Sequence, residues 1–110
     1  MGIELALYDR RPPGHRKRPA VELHLSLGHG DALAAALAAH AHPTGHRLGR
    51  VDPYGDTLFN EQDAAAALAE TAALLDRCTT EAQRAAVRDL AEVLATCAGT
   101  PGSWLCFLGD

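Results

Sequence analysis

Apolar and polar positions alternate at the start of the chain. In "GIELALY", residues 2–8, Ile3, Leu5 and Leu7 fall on one side and Glu4, Ala6 and Tyr8 on the other. A period of two predicts a strand with one buried side. "AVELHLSLG", residues 20–28, repeats the pattern: Val21, Leu23, Leu25 and Leu27 point one way, Glu22, His24 and Ser26 the other. In both strands the apolar side is expected to meet the helices. Pro12, Pro13 and Pro19 cannot donate to a ladder, so residues 9–19 read as a long, solvated hairpin loop.

The period then changes. Asp31 is a candidate N-cap for a helix in which Leu33 and Leu37 share a face, and Pro43 is placed to stop it. A short third strand is expected in "HRLGRV", residues 46–51. A second helix from Glu61 to about Arg77 sets Leu68, Ala72 and Leu75 on one side. Thr80 with Gln83 forms a capping-box pattern opening a third helix over 81–98, whose Val87, Leu90, Leu94 and Cys97 form the cleanest amphipathic stripe. Gly99 suits a left-handed C-terminal cap and Pro101 bars continuation. "SWLCFL", residues 103–108, reads as a final strand.

Between the first and second helices, "RVDPYGDTLFNEQD" (residues 50–63) interrupts the alanine and leucine with four carboxylates. Asp52-Pro53-Tyr54-Gly55 is a type I turn signature. Asn60 with Asp63 fits an N-cap and capping box, with Phe59 in the staple position. Local geometry thus accounts for all but Tyr54, Asp56 and Thr57, which become candidates for binding.

The final strand is apolar on both sides. Leu105 and Phe107 lie on one, Trp104, Cys106 and Leu108 on the other, where a one-sided sheet calls for polar residues. With Leu105 and Phe107 inside, Trp104, Cys106 and Leu108 join Tyr8 in an apolar outer patch rimmed by Glu22 and His24. Such patches mark interfaces. A homodimer through this face is the expectation, the alternative being a helix that crosses over to bury Trp104.

Composition narrows the classes. The 110 residues suffice for a single domain, and 47% hydrophobic with 22% charged residues excludes disorder. No apolar run approaches the ~20 residues of a membrane span. The N-terminal charges follow the apolar run, the reverse of a secretory signal, so a cytoplasmic location is expected. Three cysteines, odd in number and without C-x-x-C spacing, argue against a disulfide scaffold. Charge is uneven: residues 9–19 hold five basic residues against one acid, leaving −8 on the rest of a chain whose total is −4. That loop has no interleaved aromatic and the body is acidic, so nucleic acid is not the expected partner.

Catalytic patterns are missing. Neither Ser26 nor Ser103 sits in a G-x-S-x-G elbow, and no phosphate-binding glycine loop precedes a helix. Six histidines raise a metal alternative. His40, His42 and His46, with Asp56, would be its ligands if His42 lay beyond the helix end, although solvated histidines near a helix C-terminus explain the same residues. No cofactor is implied.

"YGDTLFNEQ" at 54–62 with the closing "WLCFLGD" at 104–110 resembles a group of small, mostly actinobacterial proteins. These share a central Y-G-D-T-x-F-N-x-x-Q-like stretch and a C-terminal aromatic strand ending in Gly-Asp. The resemblance covers roughly the C-terminal half and implies no activity. The expectation is therefore one α+β domain over 1–110, a mostly antiparallel sheet of three to four strands with about three helices on one face. It is expected to be a non-catalytic interaction protein that binds a protein partner through its sheet face and the 42–57 loop. Tyr54, Asp56, Thr57, Trp104, Tyr8 and Leu108 are the candidate binding residues.

Overall fold

The first strand, β1 (Ile3–Tyr8), forms where the alternation is strictest and lies inside a four-stranded antiparallel sheet of order β2-β1-β4-β3. The other strands are β2 (Glu22–Ser26), β3 (Asp56–Phe59) and β4 (Trp104–Gly109). Helices α1 (Gly30–Ala39), α2 (Glu61–Arg77) and α3 (Glu81–Gly99) complete the α+β fold and pack on one side of the sheet. The structure, a computed structural model, describes residues 2–39 and 46–110.

The inner layer follows the apolar patterns of β1, β4 and α3. Leu5 opposes Phe107 and Leu7 opposes Leu105 in the β1–β4 ladder, and all four are buried. Phe59 from β3 meets Phe107 edge to face at 4.8 Å between ring centroids. From the helices, Leu33 and Leu37 of α1 and Val87, Leu90, Leu94 and Cys97 of α3 close the core. Asn60 caps α2 with a reciprocal box: its side chain accepts from the Asp63 N–H at 2.8 Å, and Asp63 accepts from the Asn60 N–H at 3.3 Å. Thr80 accepts from the Gln83 N–H at 3.1 Å to start α3.

Several local expectations give way to packing. Residues 46–51 do not form the third strand; Leu48–Arg50 is a single 3-10 turn. Leu48 plugs the core, and Glu70 of α2 accepts from the Arg47 and Leu48 N–H groups at 2.8 and 3.1 Å. The third strand is Asp56–Phe59 instead, paired with β4. Helix α2 turns a different face inward: Ala64, Ala67, Thr71 and Leu74 are buried, Leu68 and Leu75 only partly, and Ala72 is exposed. Small side chains at the contact let α2 approach its principal neighbour, α3, closely. Helix α1 begins at Gly30, so Asp31 lies in its first turn rather than before it. Gly99 ends α3 within the helix, and the left-handed conformation falls at Gly102, φ +80°. The expected stop at Pro43 lies outside the described residues.

The largest correction concerns β2. Leu7 opposes His24 but Tyr8 opposes Glu22, so Leu23 is an extra residue, a bulge. The bulge splits the aliphatic stripe. Ser26 and His24 oppose Leu5 and Leu7 and therefore face the helices, where Ser26 Oγ donates to Asp89 of α3 at 2.5 Å. Leu25 opposes Ala6 and faces outward. The expected burial of this stripe against the helices does not occur: Val21, Leu23, Leu25 and Leu27 are 54, 49, 40 and 59% exposed. Helix α3 meets the inner side of β2 through a polar contact, the Ser26–Asp89 hydrogen bond. Between them lies a cavity of about 280 Å³ lined by Leu7, Leu23, His24, Asp89, Glu92 and Val93, among others.

Candidate interaction surface

The outer face of the sheet is built by register. One row holds Glu22, Tyr8 and Trp104; the next holds Leu25, Ala6, Cys106 and Leu58; the third holds Glu4, Leu108 and Asp56. No described helix covers this face. Its centre is nonetheless apolar, with Glu4, Glu22 and Asp56 at the margins.

The basic segment is not a loose loop. His15 and Arg18 exchange backbone hydrogen bonds at 2.9 and 3.0 Å, forming a tight turn with Arg16 and Lys17 at its tip. Gly14 and Pro19 bridge below it. Gly14 adopts φ +79°, and a Cβ there would lie 2.5 Å from the Ala20 nitrogen, so only glycine fits. At the base, the Asp9 carboxylate accepts from the Val21 N–H at 2.8 Å and pairs with Arg10 at 3.0 Å. The hydrogen bond from Arg10 chiefly holds the Asp9 carboxyl below its ordinary range.

This segment folds over part of the outer face. The Arg11 guanidinium carbon sits 5.1 Å from the Trp104 ring centroid, a cation–π contact. Pro12 and Pro13 wall a pocket of about 260 Å³ with Tyr8, Asp56, Leu58, Cys106 and Leu108. The two arrangements foreseen for Trp104 were a partner or a crossing helix; within the monomer, the first cover is Arg11.

Electrostatics in the pocket are negative. Burial pushes the Tyr8 phenol up, and the charges of Cys106, Glu22 and Asp56 add to it. Burial pushes the Cys106 thiol up to about 11, with Asp56 contributing. The Asp56 carboxylate accepts no hydrogen bond from a described residue. A protonated thiol and an unengaged carboxylate do not make a nucleophile and its base. Ser26 donates to Asp89 directly, and Ser103 Oγ donates to the Cys97 carbonyl at 2.9 Å. Burial also pushes the Cys97 thiol up. These hydroxyls and thiols tie elements together.

The structure gathers four of the six candidate binding residues on this face: Tyr8 and Trp104 as register partners, Asp56 and Leu108 as another pair. Thr57 is not among them. It opposes Phe107, and its Oγ1 accepts from the Asp52 N–H at 2.9 Å, which orders the turn. Tyr54 is 68% exposed at the tip of that turn, where its N–H donates to Asp52 at 2.9 Å. Gly109 packs so tightly beneath that a Cβ would lie 2.7 Å from the Asp52 and Gly55 carbonyl oxygens.

Of the proposed metal ligands, His40 and His42 lie outside the described residues. His46 precedes the 3-10 turn and Asp56 opens β3. Among the described residues, no group of three or more His, Cys, Asp or Glu side chains is arranged to hold a metal ion. Sequence reasoning did not find Arg11, Pro12, Pro13, Leu25 and Leu58 as parts of the surface. Their signal was an outer row needing cover, which appears only once the ladder register is known. No protein-family description matches the chain, and no curated protein or solved structure matches it either.

Proposed function

We propose that this chain is a non-catalytic interaction protein that binds a protein partner through the outer face of its sheet. One observation carries the reading. The face opposite the helices presents Leu25, Leu58 and Leu108 in adjoining rows beside Tyr8 and Trp104, and Leu25 of edge strand β2 stands 40% exposed. A sheet covered on one side ordinarily turns polar residues to water on the other. Aromatic and aliphatic side chains with a charged margin have instead the make-up of an interface core and rim. The turn at 52–57 adjoins this surface through Asp56.

Site-specific photo-cross-linking tests the reading. A photoreactive amino acid at Leu25 is expected to join the protein to one discrete protein species in cells of the source. The same group at Asp76, exposed on α2, is expected to give no such product. Diffuse or absent products at position 25 would overturn the proposal.

A further inference from the structure

We infer that the partner on the outer face is a second copy of this chain, docked face to face about a two-fold axis. In this arrangement the basic hairpin of each copy meets the acidic margin of the other. The inference rests on the interaction reading above.

Charge complementarity is the first argument. Two of the five hairpin cations are used within the monomer: Arg10 pairs with Asp9, and Arg11 stacks on Trp104. Arg16, Lys17 and Arg18 at the tip are exposed, and no described carboxylate pairs with them. Arg11, Pro12 and Pro13 of the same hairpin lie on the outer side of the sheet, where Glu22 and Asp56 raise the negative potential felt by Tyr8 and no described cation pairs with the Asp56 carboxylate. The molecule thus carries both halves of an unmade ion-pair set, the cations on a hairpin whose base lies on the outer face and the carboxylates at that face's margin. A two-fold axis brings each half to its complement twice, which is the self-complementarity that isologous dimers require.

The second argument is area. Four strands at ~4.8 Å spacing, of four to six residues each at ~3.3 Å, give a sheet footprint of roughly 330 Å². Stable complexes bury about 800 Å² per partner. The sheet face, part of which the hairpin already covers, falls short, so in the proposed dimer the outward side of the hairpin contributes the rest. The order of the hairpin fits this role. Its tip is held by paired backbone bonds and by Gly14 at positive φ, so the cations are presented with little further entropy to lose on docking.

Edge pairing of β2 with a second β2 is the less suitable geometry. The bulge at Leu23 interrupts the ladder and separates Leu25 from the inner side, a known guard against edge-to-edge association. Face-to-face packing uses Leu25 without needing a regular edge.

Sedimentation equilibrium and light scattering, with variants, test the proposal. Wild type is expected to be dimeric at ~10–100 µM and to weaken roughly tenfold when salt rises to about 0.5 M. Leu25→Glu is expected to be a folded monomer, because its side chain is already 40% exposed. Lys17→Glu/Arg18→Glu and Asp56→Lys are each expected to weaken the dimer about tenfold, and their combination to restore most of the loss. A wild type that stays monomeric would overturn the dimer, as would a dimer indifferent to Leu25→Glu. Charge variants that fail to rescue one another would overturn the hairpin-to-margin docking. If the cross-linker at Leu25 captures a different protein while the wild type is monomeric, the dimer falls and the interaction reading stands. If position 25 captures nothing, both fall.

Discussion

The two faces of β4 have nearly equal hydrophobicity and different fates. Leu105 and Phe107 disappear under α3, α1 and Phe59, with no exposed surface. Trp104, Cys106 and Leu108 are covered by what lies to hand: Arg11, two prolines and the neighbouring strands. The inner face is a core in which shape is fixed by helices. The outer face is dry at its centre, where Cys106 is 5% exposed, and opens toward Leu25 at 40%. Apolar sequence thus establishes that a surface needs cover, and leaves the identity of the cover to the rest of the molecule.

The sharpest way to test this contrast is to remove volume from each side. Leu94→Ala on α3 empties a fully buried position and is expected to cost ~2–5 kcal/mol through lost transfer energy and the cavity left behind. Chemical denaturation measures it, and an unchanged midpoint would show that α3 does not seal the inner face.

Alkaline pH probes both faces at once. The Cys106 thiol on the outer face is held protonated up to about 11 against an unfolded value of 9.0, and burial also raises Cys97 on the inner side. Between those two pH values the unfolded chain binds fewer protons than the folded one, so rising pH favours unfolding. This contribution is intact below pH ~9 and lost as pH climbs through about 11. Denaturation midpoints are expected to fall over that window, and Cys106→Ala to fall less steeply. Equal slopes for the two proteins would mean that the outer row is wet.

Smaller effects separate the two aspartates of the central turn. Asp52 accepts from the Tyr54 N–H at 2.9 Å, so Asp52→Ala is expected to cost about 1 kcal/mol. Asp56 accepts no such bond, and Asp56→Ala is expected to change stability by under ~0.5 kcal/mol while weakening association. A large loss of stability in Asp56→Ala would return that residue to a structural role.

The least perturbing substitution is Leu25→Ala, with an expected stability change within ~0.5 kcal/mol. A cost near that of Leu94→Ala would show that β2 is packed as tightly as the inner layer, and would break the distinction between the faces.

Much of the fold was legible along the chain. The strict alternation in β1, the stripe of α3 and the capping residues Asn60 and Thr80 each carry their own local physics, and each element formed where that physics placed it. The doubly apolar β4 also put Leu105 and Phe107 inside and Trp104 and Leu108 outside, because a strand must present alternate side chains to opposite faces. Tyr8, Trp104 and Leu108 converged for that reason, whereas Asp56 joined them only because β3 formed at Asp56–Phe59 rather than at 46–51. Thr57 did not: hydrogen bonding to Asp52 is a three-dimensional fact with no periodic signal.

What the sequence could not decide is what each face meets. Alternation in "VELHLSL" specifies two sides, but the bulge at Leu23 reassigns them, and bulges arise from pairing with β1 rather than from the strand itself. The alanine face of α2 won over Leu68 and Leu75 because close helix contact rewards small residues. Residues 48–50 became a 3-10 turn because Glu70 captured two of the segment's N–H groups. Local chemistry determined where elements begin and which positions are apolar. Tertiary structure alone determined which apolar surfaces meet, since burial is a relation between segments far apart in sequence.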